Sequence, residues 1–182
     1  MEAHKQAFID FMLRAEVLTF GDFTTKSGRK TPYFINTGRY RTGAQMRELC
    51  GYYARTVHDH FLGSYDFLFG PAYKGIPLCV GTAMALSERH GLDVPFCFNR
   101  KEAKDHGEGG MLVGHVPQPG QRALFVEDVT TAGTSIRETL PLLQAVPAVR
   151  ATGLVISVDR MERGTGTRNA LAELGAAHGL KT

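Results

Sequence analysis

Hydrophobic residues in the first third of the chain recur at two spacings. In residues 3–16 and 43–61, apolar side chains lie three or four positions apart, which predicts two helices with one buried face each. Between them, residues 20–36 alternate apolar and polar side chains on either side of Ser27 and Gly28, which predicts a β-hairpin that turns at this pair. Two helices and a hairpin are therefore expected before residue 62.

From residue 65 onward, short apolar runs alternate with helical patterns. The runs that we interpret as strands are Tyr65–Phe69, Val94–Phe98, Ala123–Val126 and Gly153–Val158. A last helical pattern covers Thr167–Ala177, and the residues after it lie where a further strand is expected. Apolar runs separated by helices are typical of parallel sheets, because parallel neighbours need a long crossover connection. The pattern predicts an α/β fold with a central, mainly parallel sheet flanked by helices.

The segment that follows each predicted strand is rich in glycine, charged residues or both. These segments are residues 70–75, 99–107, 127–135 and 159–164. The carboxyl ends of parallel strands meet at one edge of a sheet, and ligands of such folds bind there. We therefore expect the four segments to converge on one site for an anionic ligand.

The third of these segments carries the strongest chemical pattern. Two acids, Glu127 and Asp128, follow an apolar strand, and a loop of small and hydroxylated residues then leads into a helical pattern. Backbone N–H groups at such a turn bind phosphate, and Gly133 allows backbone angles that a Cβ would forbid. Carboxylates repel phosphate but suit sugar hydroxyls or a divalent cation. An ordinary capped turn is the alternative, but the paired acids favour a site for a phosphorylated sugar.

Residues 99–119 form a long glycine-rich segment whose first half is cationic. The cations, within seven positions, are Arg100, Lys101, Lys104 and His106. A solvated charged loop is one interpretation of such a run. Long segments of this kind also serve as lids, and a cationic lid would stabilise an anionic leaving group and exclude water. We expect a mobile lid at 99–119.

Composition and charge limit the classes of function. The 182 residues are 43% hydrophobic and 21% charged, which is typical of one soluble globular domain. A net charge of +3 gives no indication of nucleic-acid binding by the whole protein, although it allows a local basic site for small anions. Lys26, Arg29 and Lys30 crowd the predicted hairpin turn, where a solvated basic tip and an anion contact are equally open.

Cysteine usage and hydropathy bear on the compartment. Cys50, Cys79 and Cys97 are far apart and odd in number, so we expect reduced core residues rather than disulfides or a metal site. Neither a signal peptide nor an apolar run of membrane-spanning length is evident in the sequence. These features predict a cytoplasmic protein without a membrane partner.

Five stretches taken together resemble bacterial orotate phosphoribosyltransferases, which are type I phosphoribosyltransferases. They are KSGRKTPYFIN (26–36), FGPAYKGIPL (69–78), FNRKEAKDHGEGG (98–110), EDVTTAGTS (127–135) and SVDRMERG (157–164). The resemblance covers essentially the whole chain. It implies the type I phosphoribosyltransferase fold as a single domain over 1–182, with a small N-terminal hood near 1–40 and the lid at 99–119.

The same resemblance implies a reaction and partners. Phosphoribosyl would pass from 5-phospho-α-D-ribose 1-diphosphate (PRPP) to orotate, giving orotidine 5′-phosphate and pyrophosphate in pyrimidine biosynthesis. Mg²⁺ would be required, held mainly by ligand and water with no direct protein ligand. A homodimer with lid residues acting in the neighbouring site is implied, and no nucleic acid.

Roles of individual residues also follow from the resemblance. Residues expected at the reacting atoms are Lys104, His106, Lys101 and Asp128. Residues expected to bind PRPP are Lys26, Tyr73, Lys74, Arg100, Lys101, Lys104, His106, Glu127, Asp128, Val129, Thr130, Thr131, Ala132, Gly133, Thr134 and Ser135. Orotate would contact Phe34, Ile35, Thr131 and Arg160.

Within this set, Glu127 and Asp128 would hold the ribose hydroxyls, and Lys104 would be the main stabiliser of the leaving group. A cis peptide is expected at Ala72–Tyr73. Two positions depart from the family pattern, since Ile35 stands where many relatives have Phe and Glu127 where many have Asp. The first keeps an apolar wall and the second keeps a carboxylate.

Two other functions are left open by the sequence. One is a related phosphoribosyltransferase that acts on another base. The other is a regulatory PRPP-binding protein that binds nucleic acid and catalyses nothing. Such a sensor needs a basic face for nucleic acid, whereas the cations of this chain concentrate in 99–119.

Overall fold

The structure, a computed structural model, describes residues 2–25, 28–104, 110–130, 133–160 and 169–182, with the backbone alone at residues 103, 104 and 130. The chain divides into two compact units, Met1–Tyr52 and Tyr53–Thr182. Their grouping into a single domain with an N-terminal hood stays a prediction.

The N-terminal unit contains a helix, a hairpin and the start of a second helix. Helix α1 spans Ala3–Arg14, strands β1 and β2 span Leu18–Thr24 and Lys30–Ile35, a 3₁₀ turn covers Thr37–Arg39, and helix α2 spans Gly43–Phe61. The two strands pair antiparallel, with Leu18 opposite Ile35. Gly28 lies in their connection with a φ of +81°, which glycine adopts without a Cβ clash. The predicted hairpin is confirmed.

The apolar faces predicted for both helices are mostly buried. Phe11 of α1 is 2% exposed, and its ring stacks on that of Tyr40 with centroids 5.4 Å apart. Leu49 and Cys50 on α2 are equally buried. Arg14 of α1 donates to the Glu48 carboxylate at 2.8 Å on the polar side. Periodicity alone therefore located both helices and their inward faces.

Strands and helices alternate through the C-terminal unit. After α2 come β3 (Phe67–Gly70), α3 (Gly75–His90), β4 (Phe96–Lys104), β5 (Gly110–Gly114), β6 (Arg122–Val126), β7 (Val129–Thr130), α4 (Thr134–Gln144), β8 (Arg150–Val155), β9 (Val158–Asp159) and α5 (Ala170–His178). Among the described residues, the main sheet has the order β5-β4-β3-β6-β8, and its pairs are parallel except for β5 with β4. The predicted α/β fold with a mainly parallel sheet flanked by helices is confirmed.

The central strands of this sheet are buried on both faces. Phe67 and Phe69 of β3 and Phe125 of β6 have no exposed surface, and the rings of Phe69 and Phe125 lie 4.9 Å apart. Strands covered by helices on both sides read as continuous apolar runs rather than as alternating patterns. This is why the sequence marked β3 and β6 as short apolar runs.

Gly70 and Gly75 bring the end of β3 close to the start of α3. A Cβ on Gly70 would lie 2.4 Å from the Gly75 carbonyl oxygen, and a Cβ on Gly75 would lie 2.8 Å from Pro71 Cδ. No side chain fits at either position without moving the backbone. The close approach fixes residues 71–74 as a tight loop at the carboxyl edge of the sheet.

The prediction of a loop throughout 99–119 is wrong for part of this segment. Strand β4 continues to Lys104, and β5 pairs with it antiparallel, with Asn99 opposite Leu112 and Lys104 opposite Gly110. An edge ribbon tolerates charged side chains because much of it faces solvent, and glycines in the strand were misread as loop signals. The tip of this ribbon, residues 105–109, lies outside the described residues.

The last predicted strand, Gly153–Val158, divides into two strands. Strand β8 ends at Val155, and after two residues β9 pairs in parallel with β7 in a separate small sheet. Val129 lies opposite Val158, and Thr130 opposite Asp159. The run is apolar apart from Ser157, and this one polar residue was not taken as a sign that the strand changes partner.

A bridge forms beside β8 near the last described residue. Lys181 pairs in parallel with Gly153, and its carbonyl oxygen accepts from the Leu154 N–H at 2.9 Å. The bridge lies where the sequence predicted a further strand.

The three cysteines are buried, which agrees with their predicted place in the core. As far as the chain is described, its helices are too short or too polar to cross a bilayer.

Candidate active site

The predicted phosphate loop connects β6 to α4. Gly133 is the residue before the helix, with a φ of +72°, and a Cβ there would lie 2.7 Å from Leu174 Cδ1. Glycine is therefore required both for the backbone angle and for packing against α5. The first N–H groups of α4 have no acceptor within the helix, so this end suits an anion. Thr134 is exposed and Ser135 half-buried beside it, whereas Thr131 and Ala132 lie outside the described residues.

The two acids of the loop differ in environment. Glu127 is 6% exposed, and its Oε1 accepts from the Asp128 backbone N–H at 2.9 Å. Burial raises the pKa of Glu127 from 4.5 to about 7, a shift that the Asp128 N–H bond opposes and the Asp128 charge reinforces. A hydrogen bond from the Ser135 side chain also favours its charged form. Glu127 thus lies folded against its own loop.

Asp128 faces a cation instead. Its Oδ2 lies 3.0 Å from Nζ of Lys74, and its side chain is 14% exposed against 63% for the lysine. The contact joins the loop after β6 to the loop after β3, as expected for neighbouring parallel strands. Two segments that the sequence assigned to one ligand are therefore in contact.

The loop after β3 is held by a residue that the sequence analysis did not single out. Asn99 is 4% exposed, its Oδ1 accepts from the Ala72 N–H at 2.8 Å, and its Nδ2 donates to the Arg100 carbonyl at 3.1 Å. The peptide bond between Ala72 and Tyr73 is cis, as the family resemblance predicted. Tyr73 itself is 72% exposed. The available signal for Asn99 was an amide directly after an apolar strand.

The cations of the β4–β5 ribbon are placed only in part. Arg100 Nη1 donates to the Gly110 carbonyl at 3.2 Å. Lys101 Nζ lies 3.5 Å from a carboxylate oxygen of Glu138 on α4. The side chain of Lys104 and the whole of His106 lie outside the described residues. The roles of Lys104 and His106 therefore stay predictions.

The segment predicted to bind the base lies beside the phosphate loop. Pairing of β7 with β9 puts Val129 and Thr130 next to Val158 and Asp159, and half-buried Arg160 follows directly. The Asp159 carboxylate accepts from Asn169 Nδ2 at 3.0 Å. The small sheet thus brings two predicted subsites to one place.

A buried tyrosine, Tyr53, contacts both the phosphate loop and the segment that leads to Arg160. Tyr53 Oη donates to the Glu127 carbonyl at 2.7 Å and lies 2.6 Å from Ser157 Oγ. Sequence analysis placed Tyr53 only in the apolar stripe of a helix. Its one distinguishing signal was a hydroxyl within a buried stripe.

Three predicted residues belong to the N-terminal unit. Phe34 is 46% exposed and Ile35 is 5% exposed, as expected for neighbours in a strand, which point to opposite faces. Lys26 lies outside the described residues. Contacts of these residues with orotate or PRPP stay predictions.

The arrangement in the C-terminal unit combines three binding functions. The start of α4 is suited to an anion, the Asp128 carboxylate is suited to hydroxyl donors, and Arg160 carries a planar cation suited to an acidic or polar ring. Their proximity suits one ligand with a phosphate, a sugar and a base.

Comparisons with known proteins agree with this arrangement. The phosphoribosyl transferase domain family matches residues 36–169. Orotate phosphoribosyltransferase from Lachnoclostridium phytofermentans is 57% identical over 182 residues, which is 100% of this chain and 81% of that protein. The enzyme of the same name from Salmonella newport is 51% identical over 181 residues, covering 83% of that protein.

A solved structure shows the same similarity. Orotate phosphoribosyltransferase from Francisella tularensis superposes with a TM-score of 0.85 and 38% sequence identity, covering 96% of this chain and 82% of that chain. The chain therefore belongs to the orotate phosphoribosyltransferases, within the phosphoribosyl transferase domain family.

Proposed function

We propose that the chain transfers the phosphoribosyl group of PRPP to orotate through the residues described above, giving orotidine 5′-phosphate and pyrophosphate in pyrimidine biosynthesis. The observation that carries this assignment is the pairing of β7 with β9, which sets the phosphate loop beside the segment of Arg160. A ligand that joins phosphate, ribose and base needs these subsites side by side. The high identity to orotate phosphoribosyltransferases supports orotate as the base.

The 5′-phosphate binds at the start of α4. Backbone N–H groups from Val129 to Ser135 and the hydroxyls of Thr130, Thr131 and Thr134 donate to its oxygens, whereas the Ser135 hydroxyl donates to Glu127. Gly133 supplies the left-handed turn before the helix, where a side chain would collide with Leu174 of α5. The helix dipole adds a favourable interaction with the negative charge.

The ribose hydroxyls bind at the acids, with Asp128 as the more accessible partner. Lys74 contacts the same carboxylate at 3.0 Å and carries a long, exposed side chain. When PRPP binds, Lys74 exchanges this contact for a phosphate oxygen, as the resemblance assigns it to PRPP. Glu127 contributes indirectly, because its carboxylate accepts from the Asp128 N–H and thereby orients the backbone at Asp128.

Breaking the bond between ribose and pyrophosphate makes the sugar more positive and the leaving group more negative. Arg100, Lys101, Lys104 and His106 stabilise the leaving group, with Lys104 as the main contributor. Orotate attacks through its ring nitrogen, and the proton of that nitrogen passes to water or to the departing pyrophosphate, so no strong general base is required. Thr131 and Arg160 orient the ring, and the resemblance assigns apolar contacts with it to Phe34 and Ile35.

Mg²⁺ is the cofactor that the family implies. Asp128 offers one partly exposed carboxylate, and within the described residues no group of three or more His, Cys, Asp or Glu side chains could form a cage for a metal. This donor set fits Mg²⁺ that keeps its waters and arrives with phosphate oxygens. When bound, the ion would neutralise negative charge on pyrophosphate.

A homodimer completes the proposed site. By resemblance, Lys101, Lys104 and His106 act in the site of the neighbouring subunit. Lys101 contacts Glu138 of its own chain at 3.5 Å, and both side chains are about half exposed, so this pair separates at little cost.

The decisive test follows orotate by its absorbance in the presence of PRPP and Mg²⁺. We expect consumption of orotate and release of pyrophosphate. A parallel panel of uracil, hypoxanthine and adenine tests the alternative of another base. A higher rate with one of them than with orotate would show that this base is the substrate. Intact PRPP binding without turnover of any base would favour the sensor.

A further inference from the structure

Tyr53 connects the two segments that form the proposed site. The residue is 3% exposed, and its hydroxyl contacts Glu127 on one segment and Ser157 on the other. A tyrosine hydroxyl has a single proton, which Tyr53 gives to the Glu127 carbonyl at 2.7 Å. Ser157 Oγ is then the donor to Tyr53 at 2.6 Å. One hydroxyl therefore bonds to both segments at once.

The contact lies where the strand pairing is irregular. Val126 pairs with Val155, and Val129 pairs with Val158, so the register is the same on both sides of the junction. In a regular parallel ladder, the Glu127 N–H would bond to the Val155 carbonyl, and the Ser157 N–H would bond to the Glu127 carbonyl. The first of these bonds is present at 3.0 Å.

The second bond is displaced by one residue. The Ser157 N–H donates to the Asp128 carbonyl at 2.9 Å instead. The displaced bond leaves the buried Glu127 carbonyl to the hydroxyl of Tyr53. Because an unpaired buried carbonyl is costly, the hydroxyl makes this departure from the ladder stable.

The departure lies at the functional part of the loop. It turns the backbone of Glu127 and Asp128 immediately after β6, and it also fixes Ser157, three residues before Arg160. We propose that Tyr53 is a positioning residue, whose hydroxyl sets the spacing between the acidic phosphate loop and the base-binding segment. The inference rests on the proposed function, which assigns these segments to the two ends of one ligand.

A ligand that spans both segments is sensitive to their spacing, whereas a ligand that contacts one segment is not. Orotidine 5′-phosphate reaches both, and ribose 5-phosphate reaches the phosphate loop alone. The test measures inhibition constants of both compounds for wild type and for Tyr53→Phe. We expect orotidine 5′-phosphate to bind about tenfold more weakly to the variant, and ribose 5-phosphate to change less than about twofold. We also expect kcat to fall about tenfold with smaller changes in both KM values.

Two further variants support the interpretation. Tyr52→Phe removes a hydroxyl from the adjacent position on the same helix and should leave both inhibition constants unchanged. Ser157→Ala removes the donor to Tyr53 while the ring stays packed, and it should reproduce the selective loss even where Tyr53→Phe folds poorly. The double variant should lose no more affinity for orotidine 5′-phosphate than the more affected single variant, because both changes disrupt the same pair of hydrogen bonds.

The outcomes separate the inference from the proposed function. If wild type is inhibited by neither compound, the proposed site itself is wrong. If wild type is inhibited by both, and Tyr53→Phe and Ser157→Ala weaken both compounds equally or not at all, the site stands and the positioning role is rejected. A lower melting temperature with unchanged kcat and inhibition constants would show a purely structural role for the hydroxyl.

Discussion

Adjacent acids in one motif differ in what they can do. Glu127 is buried against its own loop, whereas Asp128 turns its carboxylate toward Lys74. The sequence predicted a pair of acids and assigned both to ribose. It could not separate them, because residue types and spacing record neither burial nor the direction of a side chain. The difference has consequences that can be measured at each residue.

For Glu127, we predict a pH-dependent contribution to stability. Burial raises its pKa from 4.5 to about 7, so the folded chain holds a proton that the unfolded chain releases. A raised carboxyl pKa means that stability is lost as pH rises from 4.5 to 7, by on the order of 1–3 kcal/mol. Glu127→Gln removes this titration, so the variant should gain stability relative to wild type over that range.

Urea unfolding of wild type and Glu127→Gln at pH 4.5 and pH 7.5 measures this effect. The quantity of interest is the change with pH in the difference between their unfolding free energies. Glu138→Gln, at an exposed carboxylate on α4, is the matched control and should keep the pH dependence of wild type. Equal pH dependence in wild type and Glu127→Gln would mean that the Glu127 carboxyl is ionised normally in the folded protein.

For Asp128, we predict a loss of catalysis with little loss of stability. Asp128→Asn keeps an oxygen acceptor but removes the charge that strengthens hydrogen bonds from ribose hydroxyls. Charge-assisted hydrogen bonds contribute about 1.5–3 kcal/mol, so kcat/KM for PRPP should fall about 10- to 100-fold. Asp93→Asn, at an exposed position after α3, should leave kcat/KM unchanged. A loss below about threefold at Asp128 would remove this residue from the ribose site.

At the scale of elements, a single amide links the β4–β5 ribbon to the loop after β3. Asn99 accepts from the Ala72 N–H at 2.8 Å and is buried. Asn99→Ala leaves this donor unpaired, so we predict a loss of about 1–3 kcal/mol in unfolding free energy. The KM for PRPP should also rise, because Tyr73 and Lys74 lose their support.

Chemical denaturation and steady-state kinetics measure the two effects together. Asn36→Ala is the matched control, since this exposed amide also accepts from a backbone N–H, that of Gly38 at 3.1 Å. It should change stability by less than about 1 kcal/mol and leave the KM for PRPP unchanged. An Asn99 variant with normal KM would show that the loop holds its shape without the amide.

Elements with strong periodicity were predictable, and elements that depend on partners were not. The buried faces of α1 and α2 appear in the sequence as apolar residues at helical spacing, and the buried strand β6 appears as a continuous apolar run. Strand β5 and the outer part of β4 were interpreted as a loop, because their glycines and charged residues are more numerous than their four apolar residues. Strands β7 and β9 exist only because each pairs with the other, and no local signal specifies that. For the same reason, the contacts of Tyr53 and Asn99 could not be found from the sequence.

At the scale of the whole molecule, the proposed chemistry requires cations from one subunit in the site of another. The phosphate loop and the ribbon leave β6 and β4, two strands on opposite sides of β3 in the same sheet. Lys104→Ala should lower kcat far more than it weakens PRPP binding, because the contact with the leaving group strengthens in the transition state. Equal losses in both quantities would show that the lysine only holds substrate.

Mixing two variants of low activity tests whether the sites are shared. Subunits with Lys104→Ala and subunits with Asp128→Asn are unfolded together and refolded, so that about half of the dimers contain one of each. In such a hybrid, the site with native Asp128 receives native Lys104 from its neighbour, and the other site carries both changes. Random mixing should therefore restore about a quarter of wild-type activity, as half of the dimers have one native site of two. If Lys104 served its own subunit, every site would keep one change and mixing would restore no activity.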